Sequence, residues 1–381
     1  MKKGKIAIFG VKYFPSKGGT SRVVENLLWH IKDQYDFTVY CHTHPEAAGY
    51  MPGVNVVQFP EVKIKGIGAF IHFMQCCLHL LFKRDFDLVH IHKVDASFFA
   101  PLISLKYKII STSHALPHLD DKWPVIGKLY FKIAEWIFMH SKGTLTCISK
   151  ILADYYEKTY QREVLFIPNA VNPILTVDTG KADEIIESFR VKPGFLLFAA
   201  RRIIPLKGCH TLIEALKRIN FQGTLVVAGE TGHLSAYTKK LQDAVKGLDV
   251  KFIGYISDMQ VLNALIKRAR YFVFPSEIEA MSMMLLEAGS LGTPMICSDI
   301  PQNTVIFDDG EVLYFQSKNA EDLAEKLSWA FENPEKMNFK AEKATQKVEQ
   351  KYLIDQVVKQ YTDLYDRELE GVFQEENQAM R

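Results

Sequence analysis

A run of apolar residues long enough to cross a bilayer is missing. The longest, Gly66 to Phe82, is broken by His72, Gln75 and His79 and falls short of the ~20 apolar residues a spanning helix needs. A signal peptide is not expected either, because Ile6 to Gly10 is all that separates Lys5 from the turn before Lys12, and it suits a first strand better. Charge of one sign is also scarce: 46 Lys+Arg stand against 44 Asp+Glu, a net +2 that argues against a protein built to wrap nucleic acid. The six cysteines (Cys41, Cys76, Cys77, Cys147, Cys209, Cys297) show no CxxC spacing, so they read as small core residues of a reducing, cytoplasmic compartment. Low-complexity tracts and short repeats are absent as well.

What remains is ordinary globular material, 48% apolar and 24% charged over 381 residues, which at roughly 150 residues per domain suggests two cores. Short β-branched runs alternate with longer helical stretches. Lys5 to Phe9, Phe37 to Cys41, Leu88 to His92, Ile109 to Thr112 and Gly143 to Cys147 read as strands, with helices between them. The turn-rich Pro168 to Pro173 and a polar stretch up to Gly194 mark a boundary. The alternation then restarts with Phe195 to Ala199, Thr224 to Ala228, Val250 to Ile253, Tyr271 to Phe274 and Met295 to Cys297. The expected architecture is α/β: two doubly wound, Rossmann-like domains over residues 1–172 and 193–350, a helix over 352–370 and a flexible tail over 371–381. Tandem sheets of this kind place the carboxyl ends of their strands around a common cleft.

Pro275 to Gly289 follows a strand and opens a helix, so early backbone N–H groups and the positive helix end are available to an anion. Glu279 lies at the turn. Glu287 stands in the apolar stretch Met283 to Ala288 and needs a partner there, which a pair of ribose hydroxyls or a structural ion pair would equally provide. Arg201 to Gly208 follows the first strand of the second domain; its fixed cations suit a diphosphate, or belong to a solvated basic loop.

The E-x7-E spacing of Glu279 and Glu287, with Pro275-Ser276, Leu286-Glu287-Ala288 and Gly292-Thr293-Pro294-Met295-Ile296 around it, resembles the retaining GT-B-fold glycosyltransferases of family 4. Arg202 and Lys207 fall on that family's G-R-[LF]-x-x-x-K-G. Two departures stand out: Ala280-Met281-Ser282 replaces the common Gly-Phe-Gly, and Arg201 replaces a glycine. Gly18-Gly19-Thr20 resembles the family's glycine-rich loop, although a double glycine is commonly only a turn. His114, after the strand Ile109 to Thr112, corresponds to the histidine such enzymes place beside the donor sugar. The similarity runs over nearly the whole chain.

The resemblance implies a GT-B fold whose C-terminal helix crosses back to the first domain. It also implies a nucleotide-diphosphate sugar on the second domain, with Glu287 on the ribose, Arg202 and Lys207 on the diphosphate, and Glu279 and His114 around the hexose. Ala280, Met281, Ser282 and Met283, together with Gly18, Gly19 and Thr20, would complete the donor contacts. The acceptor, a glycan or lipid-linked glycan, would enter over the first domain. No cofactor or metal is implied. His90-Ile91-His92 has metal-binding residue types, but its two imidazoles are expected to diverge from one strand.

Gly66 to Phe82 and Lys122 to Lys142, rich in aromatics and lysines, read as core helices or as elements touching the inner face of a membrane. Two rivals keep the fold and change the function: a catalytically silent sugar-nucleotide-binding subunit of a polysaccharide assembly complex, and a GT-B epimerase. A phosphorylase is disfavoured, because no convincing pyridoxal-phosphate lysine site is found.

Overall fold

The computed structural model describes residues 4–16, 19–64, 67–83, 85–119, 123–174, 176–232 and 235–379. The chain forms two compact units, Met1–Asn169 with Ile354–Arg381, and Ala170–Leu353. Among the described residues, unit 1 holds a seven-stranded parallel sheet of β1 (Lys5–Phe9), β2 (Asp36–His42), β3 (Val54–Phe59), β4 (Leu88–His92), β5 (Lys108–Ser113), β6 (Thr144–Cys147) and β7 (Leu165–Phe166). The order across it is β3-β2-β1-β4-β5-β6-β7. β4 is buried along its whole length, as expected of a central parallel strand covered by helices on both faces.

Those helices are α1 (Thr20–Ile31), α2 (Gly68–Lys83), α3 (Ala100–Ile103), α4 (Val125–His140) and α5 (Lys150–Tyr160). Val24, Leu27, Leu28 and Ile31 recur at helical spacing on the buried face of α1. Phe73, Cys76, Cys77 and Leu80 of α2 join Phe9, Val89 and Ile91 of the sheet in one apolar cluster. All six cysteines are free and buried.

Unit 2 begins with α6 (Thr179–Ser188). It then lays down β8 (Leu196–Arg202), α7 (Cys209–Arg218), β9 (Thr224–Glu230), α8 (Ser235–Ala244), β10 (Asp249–Gly254), α9 (Met259–Arg268), β11 (Tyr271–Phe274) and α10 (Met283–Ser290). It ends with β12 (Met295–Ser298), α11 (Pro301–Thr304), β13 (Leu313–Phe315), α12 (Ala320–Glu332) and α13 (Pro334–Lys351). Six described strands, again all parallel, run in the order β10-β9-β8-β11-β12-β13. The last helix, α14 (Ile354–Ala379), belongs to unit 1, where Tyr35 donates to Asp366 and Thr144 to Glu368 at 2.6 Å each.

Two elements differ from the sequence reading. The polar passage before Gly194 contains α6, whose cap Asp178 accepts from the Lys181 N–H and whose Asp183 pairs with Arg268 of α9. A short helix with little apolar content is easily mistaken for a linker. α14 also runs further than the expected helix, to Ala379, since one glycine costs about 1 kcal/mol in a helix and Glu, Gln and Ala are good helix formers.

In each sheet the chain order reverses beside the first strand of the unit, between β1 and β4 and between β8 and β11. Both switch points depend on a glycine. Gly10, at φ +94°, lies so close to the His92 carbonyl oxygen that an added Cβ would stand 1.9 Å from it, and at Gly208, φ +69°, a Cβ would stand 1.9 Å from the Pro275 carbonyl oxygen. No rotamer change relieves a clash with backbone. Gly10→Ala should therefore lower unfolding free energy by about 2 kcal/mol or more. Gly232→Ala, at a position with open space around it, should change it by less than about 0.5 kcal/mol, both values being read from urea titrations.

Candidate functional site

In unit 2 the loops after β8 and β11 emerge side by side at the carboxyl ends of neighbouring strands, where open α/β sheets bind ligands. They are stitched together by the Glu277 N–H donating to the Leu206 carbonyl at 2.9 Å, and Gly208 permits the close approach. Lys207 ends a short 3₁₀ turn after β8, and its Nζ meets Glu279 Oε1 at 2.5 Å. Both side chains are only partly exposed. Two residues proposed from sequence for different parts of one ligand are thus in direct contact. Arg202 is exposed at the end of β8, past a break in register between Ala199 and Arg202, an irregularity of the kind that re-aims side chains at strand ends. Arg201 is exposed as well.

Downstream, Ser298 Oγ donates to the Ser276 carbonyl at 2.5 Å, and Asn303 holds the Ser298 carbonyl at 3.0 Å, so the strand ends β11 and β12 are tied beneath the loop. Met281 and Ser282 are buried, whereas Ala280 and Met283 are partly exposed. Ser282 caps α10, its Oγ accepting from the Leu285 N–H at 3.4 Å, so one early N–H that the sequence left for a ligand is already engaged. Glu287, one turn further on, is buried. α10 packs on α9 and α13, and a Cβ on Gly289 would stand 2.8 Å from the Phe307 ring, which fixes the helix against its neighbours.

The unit 1 candidates lie on two elements, the start of α1 and the end of β5. Gly18 lies outside the described residues. Gly19, at φ +60°, precedes α1 with no side chain capping its first turn, and Thr20 is the first helical residue. The Arg22 N–H of the first turn donates to the Gly19 carbonyl at 3.0 Å. His114 follows β5, and its Nε2 lies 3.1 Å from His92 Nδ1. The expectation that His90 and His92 diverge is wrong. Residues two apart in a strand share a face, and the two rings lie 3.9 Å apart. Both nitrogens of His90 are committed to hydroxyls, Tyr365 at 2.7 Å and Thr112 at 2.6 Å.

Burial pushes His114 down to about 3, with the Lys93 charge adding to the effect, and burial likewise takes His90 to about 3. His92 is lowered by burial and by its histidine and lysine neighbours. At neutral pH all three rings are uncharged, so in the His92–His114 contact one ring donates its N–H to the lone pair of the other. Sequence reasoning missed His92 and Lys93 as parts of this group. The strand period of two was the available signal for His92; Lys93 sits at φ 84°, for which the sequence carries no signal.

The model described as Glycosyltransferase Family 4 matches residues 17–174, and that described as Glycosyl transferases group 1 matches residues 180–348. An uncharacterized glycosyltransferase of Methanocaldococcus jannaschii is 24% identical, over 85% of this chain and 87% of its own length. The O-antigen chain mannosyltransferase C of Escherichia coli is 27% identical over 76% of this chain and 77% of its own. Among solved structures, Anabaena HepE in complex with UDP and glucose has a TM-score of 0.80 at 16% identity, covering 96% of this chain and 100% of that one, a likeness of fold.

The buried histidines carry a pH signature. An unfolded histidine takes up its proton near 6.5, whereas folded His72, His90 and His114 resist it down to about 3. Acid therefore favours the unfolded chain, and stability should fall as pH drops below 6.5, by about 1.4 kcal/mol per pH unit for each such histidine. Tryptophan fluorescence reports chiefly on unit 1, which holds Trp29, Trp123 and Trp136 of the four tryptophans. Urea titrations between pH 7.5 and 5 should show this slope, and His90→Gln should reduce it by about one proton; a flat dependence would contradict the burial argument.

Proposed function

The chain belongs to the GT-B-fold glycosyltransferases, and from that premise we propose that it moves a hexose from a nucleotide-diphosphate sugar to a glycan or lipid-linked acceptor, with retention at the anomeric carbon. The observation that carries this reading is the Lys207–Glu279 contact at the switch point of unit 2, with Arg202 at the end of β8 and the helix that buries Glu287 following Glu279 in the chain. Cations and a carboxylate held this way fit the opposite demands of a diphosphate and a sugar hydroxyl.

In the proposed arrangement unit 2 holds the donor. Glu287 accepts from the ribose hydroxyls, Arg202 and Lys207 face the diphosphate, and Glu279 orients the hexose together with the backbone of residues 280–283. Lys207 is neutralised by Glu279 in the free protein, so an arriving phosphate would draw on a cation that is already positioned. In unit 1, His114 is a neutral imidazole that could hydrogen-bond a sugar hydroxyl but would not supply a proton. Unit 1, near Gly19 and Thr20, would receive the acceptor.

Transfer would proceed from the face that the diphosphate leaves. The bond from the anomeric carbon to the phosphate oxygen breaks with its electron pair going to the diphosphate; the acceptor oxygen bonds to that carbon, and the leaving phosphate takes the hydroxyl proton. Arg202 and Lys207 stabilise the negative charge that accumulates, in the place a metal would otherwise take. The E. coli relative named for O-antigen chain mannosylation and the UDP bound by HepE support a nucleotide-sugar donor and a glycan product. Such an acceptor would be met in the cytoplasm, at the inner face of a membrane.

A panel of UDP- and GDP-sugars tests the reading through donor hydrolysis and calorimetric binding. With the donor so found, Glu287→Ala should weaken donor binding about tenfold, the loss of roughly one charge-assisted hydrogen bond. Glu279→Ala should instead lower turnover by about a hundredfold with a smaller change in binding. Unchanged kinetics in both variants would sink the site assignment, and nucleotide binding without transfer or hydrolysis would favour a silent subunit.

A further inference from the structure

The geometry points to the outer side of α2, α3 and α4 as a docking surface for an anionic lipid bilayer, a proposal that rests on the membrane-face acceptor above and gives it a place in unit 1. α4 is apolar on two sides. Its inward stripe, with Phe131, Ala134, Phe138 and Met139, is buried as any core-facing helix would be. Val125 and Ile126 are nevertheless 83% and 82% exposed, and Leu129, Ile133 and Trp136 continue the same outward stripe at helical spacing. A surface helix packed against a core ordinarily turns charged or polar residues outward there.

The neighbouring helices extend the patch. Met74, Leu78 and Phe82 of α2 are exposed at spacings of four, and Leu105 just after α3 is 83% exposed. The three helices are held side by side by an aromatic layer in which the Phe70 ring lies 5.3 Å from Phe99 and 6.0 Å from Tyr130. An apolar surface of this extent on a folded unit marks a binding face.

Charge decides what the face binds. α2 contains no Asp or Glu, and the one acid in α4, Glu135, is turned inward, where the hydroxyls of Tyr155 and Tyr160 donate to it at 2.8 and 2.9 Å and His118 lies 2.9 Å away. Lys106 and Lys132 are exposed among the apolar residues. A second copy seated on this face would bring the same cations against each other, whereas an anionic leaflet complements them while the lysine stems lie along the apolar surface. Sixteen residues make α4 too short to span, and no helix among the described residues is long and apolar enough to cross a membrane. The helix would lie in the interface plane, with Trp136 at headgroup depth.

Flotation of the full chain tests this with vesicles of phosphatidylcholine alone and of phosphatidylcholine mixed with phosphatidylglycerol. The chain should float with the mixed vesicles, less with phosphatidylcholine, and less again in high salt. Ile126→Asp with Leu129→Asp should lower the bound fraction about tenfold or more, because each places a charge where the interface takes apolar groups. Lys132→Glu should remove part of the salt-sensitive component. Donor hydrolysis in solution and the thermal midpoint should be unchanged in these variants, which separates loss of docking from loss of fold or chemistry. Equal flotation of the parent and the double variant overturns the proposal, as does a parent that ignores anionic vesicles or a dimer that the double variant abolishes. If the parent floats but hydrolyses no donor, the glycosyl-transfer reading falls and the docking surface stands.

Discussion

Much of this structure follows from one steric constraint, the passage of a loop across the end of a neighbouring strand with no room for a side chain. It occurs at the switch point of each unit, at Gly10 against the His92 carbonyl and at Gly208 against the Pro275 carbonyl. In both places the chain order reverses, so loops from two adjacent strands diverge and leave their ends available. Gly208 lets the loop carrying Lys207 lie against the one carrying Glu279, and the Glu277 to Leu206 hydrogen bond locks the register between them. The ion pair is a product of that approach. Without it, two flexible side chains would have to find each other from solvent and lose most of the interaction to side-chain entropy and water.

The two switch points share this geometry and differ in electrostatics. In unit 2 Lys207 and Glu279 are charged and partly exposed, so they can exchange partners with a ligand at modest desolvation cost. In unit 1 the corresponding strand ends are lined by imidazoles that burial keeps neutral, tied to each other and to the hydroxyls of Thr112 and Tyr365. Neutral donors and acceptors suit sugar hydroxyls, whereas fixed cations suit phosphate. Tyr365 comes from α14, so the orientation of His90 depends on the C-terminal helix being packed on this unit.

Most of the layer structure was legible in the sequence, because parallel strands buried on both faces leave short β-branched runs that stand out from amphipathic helices. The grouping of Lys207 with Glu279 was legible only as two separate motifs. Their contact depends on the sheet order, which places β8 beside β11 although 68 residues separate Arg202 from Tyr271. The histidines were misjudged for a local reason. His90 and His92 share a face, and His114 joins them from the adjacent strand, a pairing that no single segment displays. α6 was hidden because its stability comes from the Asp178 cap and the contact with α9 rather than from an apolar face.

Helix α4 shows where pattern reading stops and burial becomes necessary. A sequence with apolar residues on two sides is compatible with a helix enclosed by protein, and also with one that has core on one side and lipid on the other. The two cases differ in where the polar groups go. A fully enclosed helix has to satisfy or exclude its charges on every side, yet Lys132 reaches solvent while Glu135 is withdrawn into unit 1 and surrounded by tyrosine hydroxyls and His118. Burying a carboxylate is unfavourable unless it is hydrogen-bonded, and here those bonds come from α5 and its C-terminal end. The consequence, over α2 and α4, is an outer face with apolar bulk and positive charge and no exposed acid among the described residues of these two helices. Helical periodicity alone would not produce that asymmetry; it arises from which residue was turned inward.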